Sequence, residues 1–273
     1  MSSSISSRKG QRMTDGGIAS LEPLHESGWR AGLPNLMRAG FAAWWTTKDW
    51  WIQALLWTAV VNGSVAPFIW GDAPDELDVF TLYSVMSMFA AIAVAIIMQE
   101  VIVGERRNGT AAWVLSKPVS RDAFMLSKLV PNAFGVIATM IAIPSLFLLL
   151  QVTLADFDVS IPRFALGASI LALNLMFYLT LTLMLGTLFD SAGPVIAIPL
   201  AFAFGQQLIA GLPGLGSVLP WALVAPTGQA DTTVAAAIIT DQPVPAPGAI
   251  ALTVAACCIF TVVAFWKWNR TEL

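Results

Sequence analysis

Residues 79–128 read VFTLYSVMSMFAAIAVAIIMQEVIVGERRNGTAAWVLSKPVSRDAFMLSK. The first part, Val79–Gln99, carries no charged side chain. About 20 apolar residues are enough for a helix to cross the hydrocarbon of a bilayer. The second part, Glu100–Lys128, is a charged link, and at Leu129 a further apolar run begins. A polar link held between two membrane-length runs is the arrangement of a multi-span helical membrane protein.

The rest of the chain repeats that pattern. Apolar runs of spanning length occur at Trp50–Trp70, Val79–Gln99, Leu129–Leu154, Phe164–Phe189, Pro194–Leu212 and Ala249–Trp268. Pro131, Pro144 and Pro199 interrupt two of them, which membrane helices tolerate when neighbours satisfy the freed carbonyls. The composition agrees: of 273 residues 57% are hydrophobic and 11% charged, against about 25% charged in a soluble domain. A soluble globule of this size would lack the charge to coat its surface. The adjacent Cys257 and Cys258 lie in an apolar run and suggest small membrane-helix residues, not a disulfide framework. The first 30 residues show no apolar signal core, so insertion is expected through the internal spans.

Six spans put both ends of the chain on one side, and the charges choose it. Arg8, Lys9, Arg12, Arg30, Arg38, Lys48, Arg106, Arg107, Lys117, Arg121, Lys128, Lys267 and Arg270 fall in the tail, the 100–128 link and the C-terminal end, while Arg163 alone falls opposite. Positive residues near span ends stay cytoplasmic, so the expected topology has both termini and the link inside a cytoplasmic membrane. The opposite links are acidic, with Asp72, Asp75, Glu76, Asp78, Asp156, Asp158, Asp231 and Asp241; they fit a cation-binding role or, the plainer reading, a solvated cap.

The expected fold class is an all-α membrane protein of six transmembrane helices. Residues 1–32 form a Ser-rich disordered tail that holds the single histidine, His25, without partners for metal or catalytic work. Over 33–49 the residues Leu33, Leu36, Met37, Gly40, Phe41, Trp44 and Trp45 recur at helical spacing. That suggests a helix lying in the interface, with its tryptophans at headgroup depth beside lipid. The spanning domain covers 50–268, with a cytoplasmic link at 100–128 and a long outer segment at 213–248; residues 269–273 end the chain inside. Within the outer segment, Ser217–Pro226 is too short to span and reads as a re-entrant or interfacial piece.

The 100–128 link is built to fold. Asn108-Gly109 marks a turn, Thr110 is an N-cap candidate for a short helix through Leu115, and Pro118 stops it. Ser120 then caps a second helix with Asp122 in its first turn. The short helix would show Trp113 and Leu115 between charges. Two uses fit it: docking of a protein partner or lying flat on lipid headgroups.

The run Glu105-Arg106, Asn108-Gly109-Thr110, Leu115-Ser116 and Pro118-Val119-Ser120-Arg121, with Lys128 further on, resembles the cytoplasmic loop of type-two ABC transporter permeases, the six-span subunits of ATP-driven exporters. Ser127 stands where that family often has glycine. The resemblance implies a coupling helix between spans two and three that docks on a separate cytosolic ATPase subunit. It implies docking residues Glu105, Arg106, Arg107, Gly109, Thr110, Trp113, Leu115, Pro118 and Arg121. It also implies a second permease copy or related permease as dimer partner, and ATP and Mg bound on the ATPase, with no cofactor on this chain. No G-x-x-x-x-G-K-[ST] phosphate loop occurs in the sequence. The chain is therefore expected not to be an enzyme, with no catalytic or metal residues and no nucleic-acid partner.

Polar residues in the spans have two readings each. Glu100, at the inner end of span two, fits an ion pair with Arg106, Arg107 or Arg121, or a transport role. Asp190 reads as a turn and cap residue. Asn62, Gln151, Asn174, Gln206 and Gln207 suit hydrogen bonds between helices, and Ala90, Ala91, Ala93 and Ala95 a close-packing face. A membrane anchor without transport, or a secondary transporter, remain the rival functions.

Overall fold

The computed structural model describes residues 28–71, 75–212, 214–228 and 230–271. The expected tail over 1–32 falls almost wholly outside them, His25 and Asp72 with it. Among the described residues every regular element is helical: α1 Leu33–Trp45, α2 Asp49–Ile69, α3 Glu76–Arg107, α4 Thr110–Leu115, α5 Arg121–Leu154, α6 Ile161–Leu188, α7 Ala192–Ile209, α8 Trp221–Val224, α9 Val234–Ile239 and α10 Pro247–Asn269. Of these, α2, α3, α5, α6, α7 and α10 are long and apolar enough to cross a membrane. The protein is an all-α, six-span membrane protein.

The spanning helices run past the apolar runs that announce them. Span two begins at Glu76, because the Asp75 carboxylate accepts from the amides of Leu77 at 2.8 Å and Asp78 at 3.2 Å, and it continues to Arg107. Span three begins at Arg121, where Ser120 Oγ accepts from the Ala123 amide at 3.0 Å and Asp122 sits in the first turn. Hydropathy registers only the part that belongs in hydrocarbon; backbone hydrogen bonding carries the helix on into the polar region. Each of these two helices contains a π-helical turn, Glu100–Gly104 in α3 and Ile137–Ala142 in α5. The second ends two residues before Pro144, which cannot donate a helical N–H, so the ladder is already widened where the donor is lost.

Helix α6 is the centre of the bundle. Leu171, Leu175, Leu179 and Leu183 recur every fourth residue and are fully buried. Around α6 pack α10, α9 and α3, while α2 lies along α5. Ala90, Ala91 and Ala95 are buried where α3 meets α6 and α7, so the small-residue face serves packing within one copy. Polar side chains tie the spans together. Gln151 Nε2 donates to Asn62 Oδ1 at 2.7 Å, and Asn62 Nδ2 to the Pro144 carbonyl at 3.1 Å. Tyr83 and Ser145 hydroxyls lie 2.5 Å apart. Gln206 Nε2 donates to Tyr178 Oη at 2.8 Å, and its Oε1 accepts from the Trp221 amide at 3.0 Å. Asn174 is buried with its Nδ2 unpartnered and Gln207 is exposed, and among the described residues neither shows the interhelical bond expected of it.

In the 213–248 segment the only regular part of Ser217–Pro226 is the four-residue α8. Both α8 and α9 are buried against the bundle. Gly167 lets α9 approach α6: a Cβ there would lie 2.9 Å from the Ala235 carbonyl oxygen.

Helix α1 is shorter than the expected 33–49 and packs differently. Thr46–Lys48 separate it from α2, so it is no extension of span one. Trp44 points into the protein, 8% exposed, with its Nε1 donating to Asn132 Oδ1 at 3.0 Å. The reason is two close approaches to α5. A Cβ on Gly40 would lie 2.7 Å from Pro131 Cγ, and one on Gly135 would collide with the Trp44 indole. Trp45 stays at the surface beside Trp50, with ring centroids 5.5 Å apart. Replacing Gly135 by Val should therefore lift α1 from α5 and cost about 1–3 kcal/mol, the usual range for overpacking. Thermal unfolding in detergent should show a lower Tm for Gly135→Val and little change for Gly63→Ala, whose Cβ would meet nothing within 4 Å. An unshifted Tm in Gly135→Val would disprove the seating of α1.

Candidate functional site

The link between α3 and α5 is ordered throughout. Asn108 ends α3 and Gly109 takes φ 70°, a left-handed conformation that suits glycine. Gly109, not Thr110, is the N-cap of α4; Thr110 is its first helical residue and makes no capping bond. The positive φ of Gly109 turns the chain there, so the hydroxyl of Thr110 lies one position too late to cap. Helix α4 ends at Leu115, before Pro118, as the sequence indicates.

The six residues of α4 have two faces. Ala111 is fully buried, and Val114 and Leu115 pack partly against the core. Ala112 and Trp113 face outward, Trp113 being 62% exposed with Lys117 Nζ 4.0 Å from its ring centroid. Trp113 and Leu115 are two residues apart, about 200° around a helix of 3.6 residues per turn, so they cannot share a face. The expectation that α4 shows both side chains is corrected: Leu115 belongs to the inner face. The exposed surface consists of Arg107, Asn108, Gly109, Thr110, Ala112, Trp113, Ser116, Lys117 and Pro118.

Three of the charged residues picked out by sequence turn inward and tie the link to the bundle. Glu105 pairs with Lys128 across the link, joining α3 to α5. Arg106 pairs with Asp190 and reaches the carbonyl oxygens of Gly186 and Phe189, each at 3.5 Å. A guanidinium there meets the negative end of the α6 dipole. Asp190 thus serves as Arg106's partner, and α7 begins after Ser191 without a side-chain cap. Arg121 donates to the carbonyls of Trp268 at 3.1 Å, Asn269 at 3.2 Å and Thr271 at 2.5 Å, closing the end of α10. Phe124 stacks on Trp268 at 5.1 Å, and Asn269 Nδ2 donates to Asp122 Oδ1 at 2.8 Å.

The segment before α1 is held as well. The Ser120 amide donates to the Ala31 carbonyl at 3.1 Å and its hydroxyl to the Trp29 carbonyl. Glu100 lies 3.8 Å from Arg107 and accepts from Gln99 Nε2 at 3.0 Å, so of the three arginines considered for it, Arg107 is the one nearby. Asp190, Trp268 and the backbone partners of Arg121 were not identifiable from sequence. They lie 84, 147 and more residues away, and only the shared polar end of the bundle hinted at them.

Helix α4 thus presents an exposed aromatic and is tied on both flanks to other spans. The family model described as ABC-2 family transporter protein matches residues 4–273. The chain belongs to the ABC-2 family. It is accordingly a multi-pass membrane permease of an ABC transporter, a transport component that is normally not itself catalytic, and its family works with an ABC ATPase, often as a dimer. No curated protein sequence matches the chain.

Proposed function

We propose that this ABC-2 permease docks a separate cytosolic ABC ATPase on the outer face of α4 and uses that subunit's ATP hydrolysis to export a substrate. The carrying observation is Trp113, a large aromatic left 62% exposed on a helix flanked by Glu105, Arg106 and Arg121, which are tied to other spans. Arg107, Gly109, Thr110 and Pro118 surround it on the surface, and Glu105, Arg106, Leu115 and Arg121 fix the helix from beneath. ATP and Mg belong to the ATPase in this reading, and a second permease completes the pathway.

The loop end lies in the cytoplasm together with both termini, because the lysines and arginines cluster there. Export as the direction rests on the resemblance. Closure of the ATPases on nucleotide would displace α4. Through Arg106 the displacement reaches the α6–α7 junction and through Arg121 the end of α10, biasing two arrangements of the spans.

Purification from native membranes in a gentle detergent tests the reading. A stoichiometric soluble subunit with a phosphate-loop motif is the expected companion. Recovery of the chain alone, or with a partner that binds no nucleotide, would overturn it in favour of a membrane anchor or a secondary transporter.

A further inference from the structure

At the loop end, a cavity of about 290 Å³ opens between α1, the first turns of α2, α3 and α5. A water occupies about 30 Å³ of liquid, so it admits about ten water-sized groups, enough for a small polar headgroup but not an acyl chain. Its polar wall is made by Trp44, Asp49, Gln53, Glu105, Lys128 and Asn132. The wall is fixed in advance, since α1 is clamped on α5 at Gly40 and Gly135.

Three donor groups of this wall are already paired within it. Lys128 is paired with Glu105, Trp44 Nε1 donates to Asn132, and Asn132 Nδ2 donates to the Lys128 carbonyl at 2.6 Å. Two buried acceptors nevertheless remain without a partner. Gln53 Oε1 and Glu105 Oε2 are buried without a hydrogen-bond partner, and the Asp49 carboxylate, exposed at the rim, has no ion-pair partner among the described residues. Buried acceptors without donors are costly, and one positive against two negative side chains leaves the wall with a net negative charge. Asp49 and Gln53 stand four residues apart, on one face of α2.

We propose that this cavity binds the primary ammonium of a phosphatidylethanolamine headgroup. A primary ammonium brings three N–H donors, one each for Asp49, Gln53 Oε1 and Glu105 Oε2. Lys48, exposed and adjacent to Asp49, supplies a cation for the phosphate of the same headgroup. The lipid is the source because the cavity sits at the ends of spanning helices, where Trp45 at the end of α1 and Trp50 in the first turn of α2 stand side by side. A choline headgroup has no N–H to offer, so the site discriminates between the two zwitterionic lipids.

The test uses the full chain, delipidated in detergent, and needs neither ATPase nor substrate, so its failure is separate from that of the docking reading. Native mass spectrometry is run with phosphatidylethanolamine and phosphatidylcholine of identical chains, competed with soluble phosphoethanolamine. Expected is at least tenfold greater retention of the ethanolamine lipid, lost in Asp49→Asn and in Gln53→Leu, with both variants monodisperse and of parental Tm. Equal retention of the two lipids, or an undiminished preference in both variants, would overturn the proposal. Displacement by phosphoethanolamine at the concentration of the lipid itself would also overturn it, by showing a site for a free amine and not for a membrane lipid.

Discussion

Trp113→Ala is expected to abolish recovery of the ATPase with the permease while leaving the permease folded. Truncating a central aromatic at a protein interface typically costs 2 kcal/mol or more, and each 1.4 kcal/mol is tenfold in affinity. A loss of at least about thirtyfold follows on those figures, enough to empty a pull-down at submicromolar subunit concentrations. The fold should not suffer, because the Trp113 ring is mostly in solvent and its close partner is Lys117, itself exposed. Leu115→Ala gives the contrasting case: its side chain faces the core, so the loss should appear as a lower Tm. The measurement is the dissociation constant of the two purified subunits beside the melting curve of the permease alone. An unchanged constant in Trp113→Ala would remove α4 from the interface and favour the other use of such a helix, lying on lipid headgroups.

The difference between those two leucine and tryptophan positions shows where sequence reading ends. The spans were legible because crossing a bilayer demands length and apolarity, and both are local properties of the chain. The turn at Asn108-Gly109, the stop before Pro118 and the cap at Ser120 were legible for a similar reason, since each depends on residues at most three or four apart. Which face of α4 points inward was accessible from helical geometry, yet charge at both flanks made the whole segment look exposed. The partners of Arg106 and Arg121 were not accessible at all, because they are set by the order of helices around α6. Trp44 belongs to the same class. Its spacing marked an amphipathic helix correctly, but only the glycine at position 135 decides that the indole enters the protein and not the interface.

Arg106→Ala should give a permease that binds its ATPase and permits hydrolysis but passes little of the motion to the α6–α7 junction. The Arg106–Asp190 pair contributes little to stability, since Asp190's side chain is 86% exposed and such pairs are worth about 0–1 kcal/mol. Its consequence is mechanical. Among the described residues, Arg106 is the side chain of the link that is ion-paired to the α6–α7 junction. With Ala there, a push on α4 still reaches α5 through Lys128 and α10 through Arg121, but no longer grips the end of α6. In a background with Cys257 and Cys258 replaced, spin labels at the loop ends of α4 and α7 should report a nucleotide-dependent distance change in the parent complex. Arg106→Ala should lose most of that change while keeping at least half of the ATPase rate. The double variant Arg106→Asp with Asp190→Arg should recover part of it, because the exchanged pair restores the tie while each single charge reversal places like charges together. A distance change of parental size in Arg106→Ala would show that motion reaches α6 by packing alone, through Ile102 against Gly186, where a Cβ would lie 3.1 Å from the isoleucine.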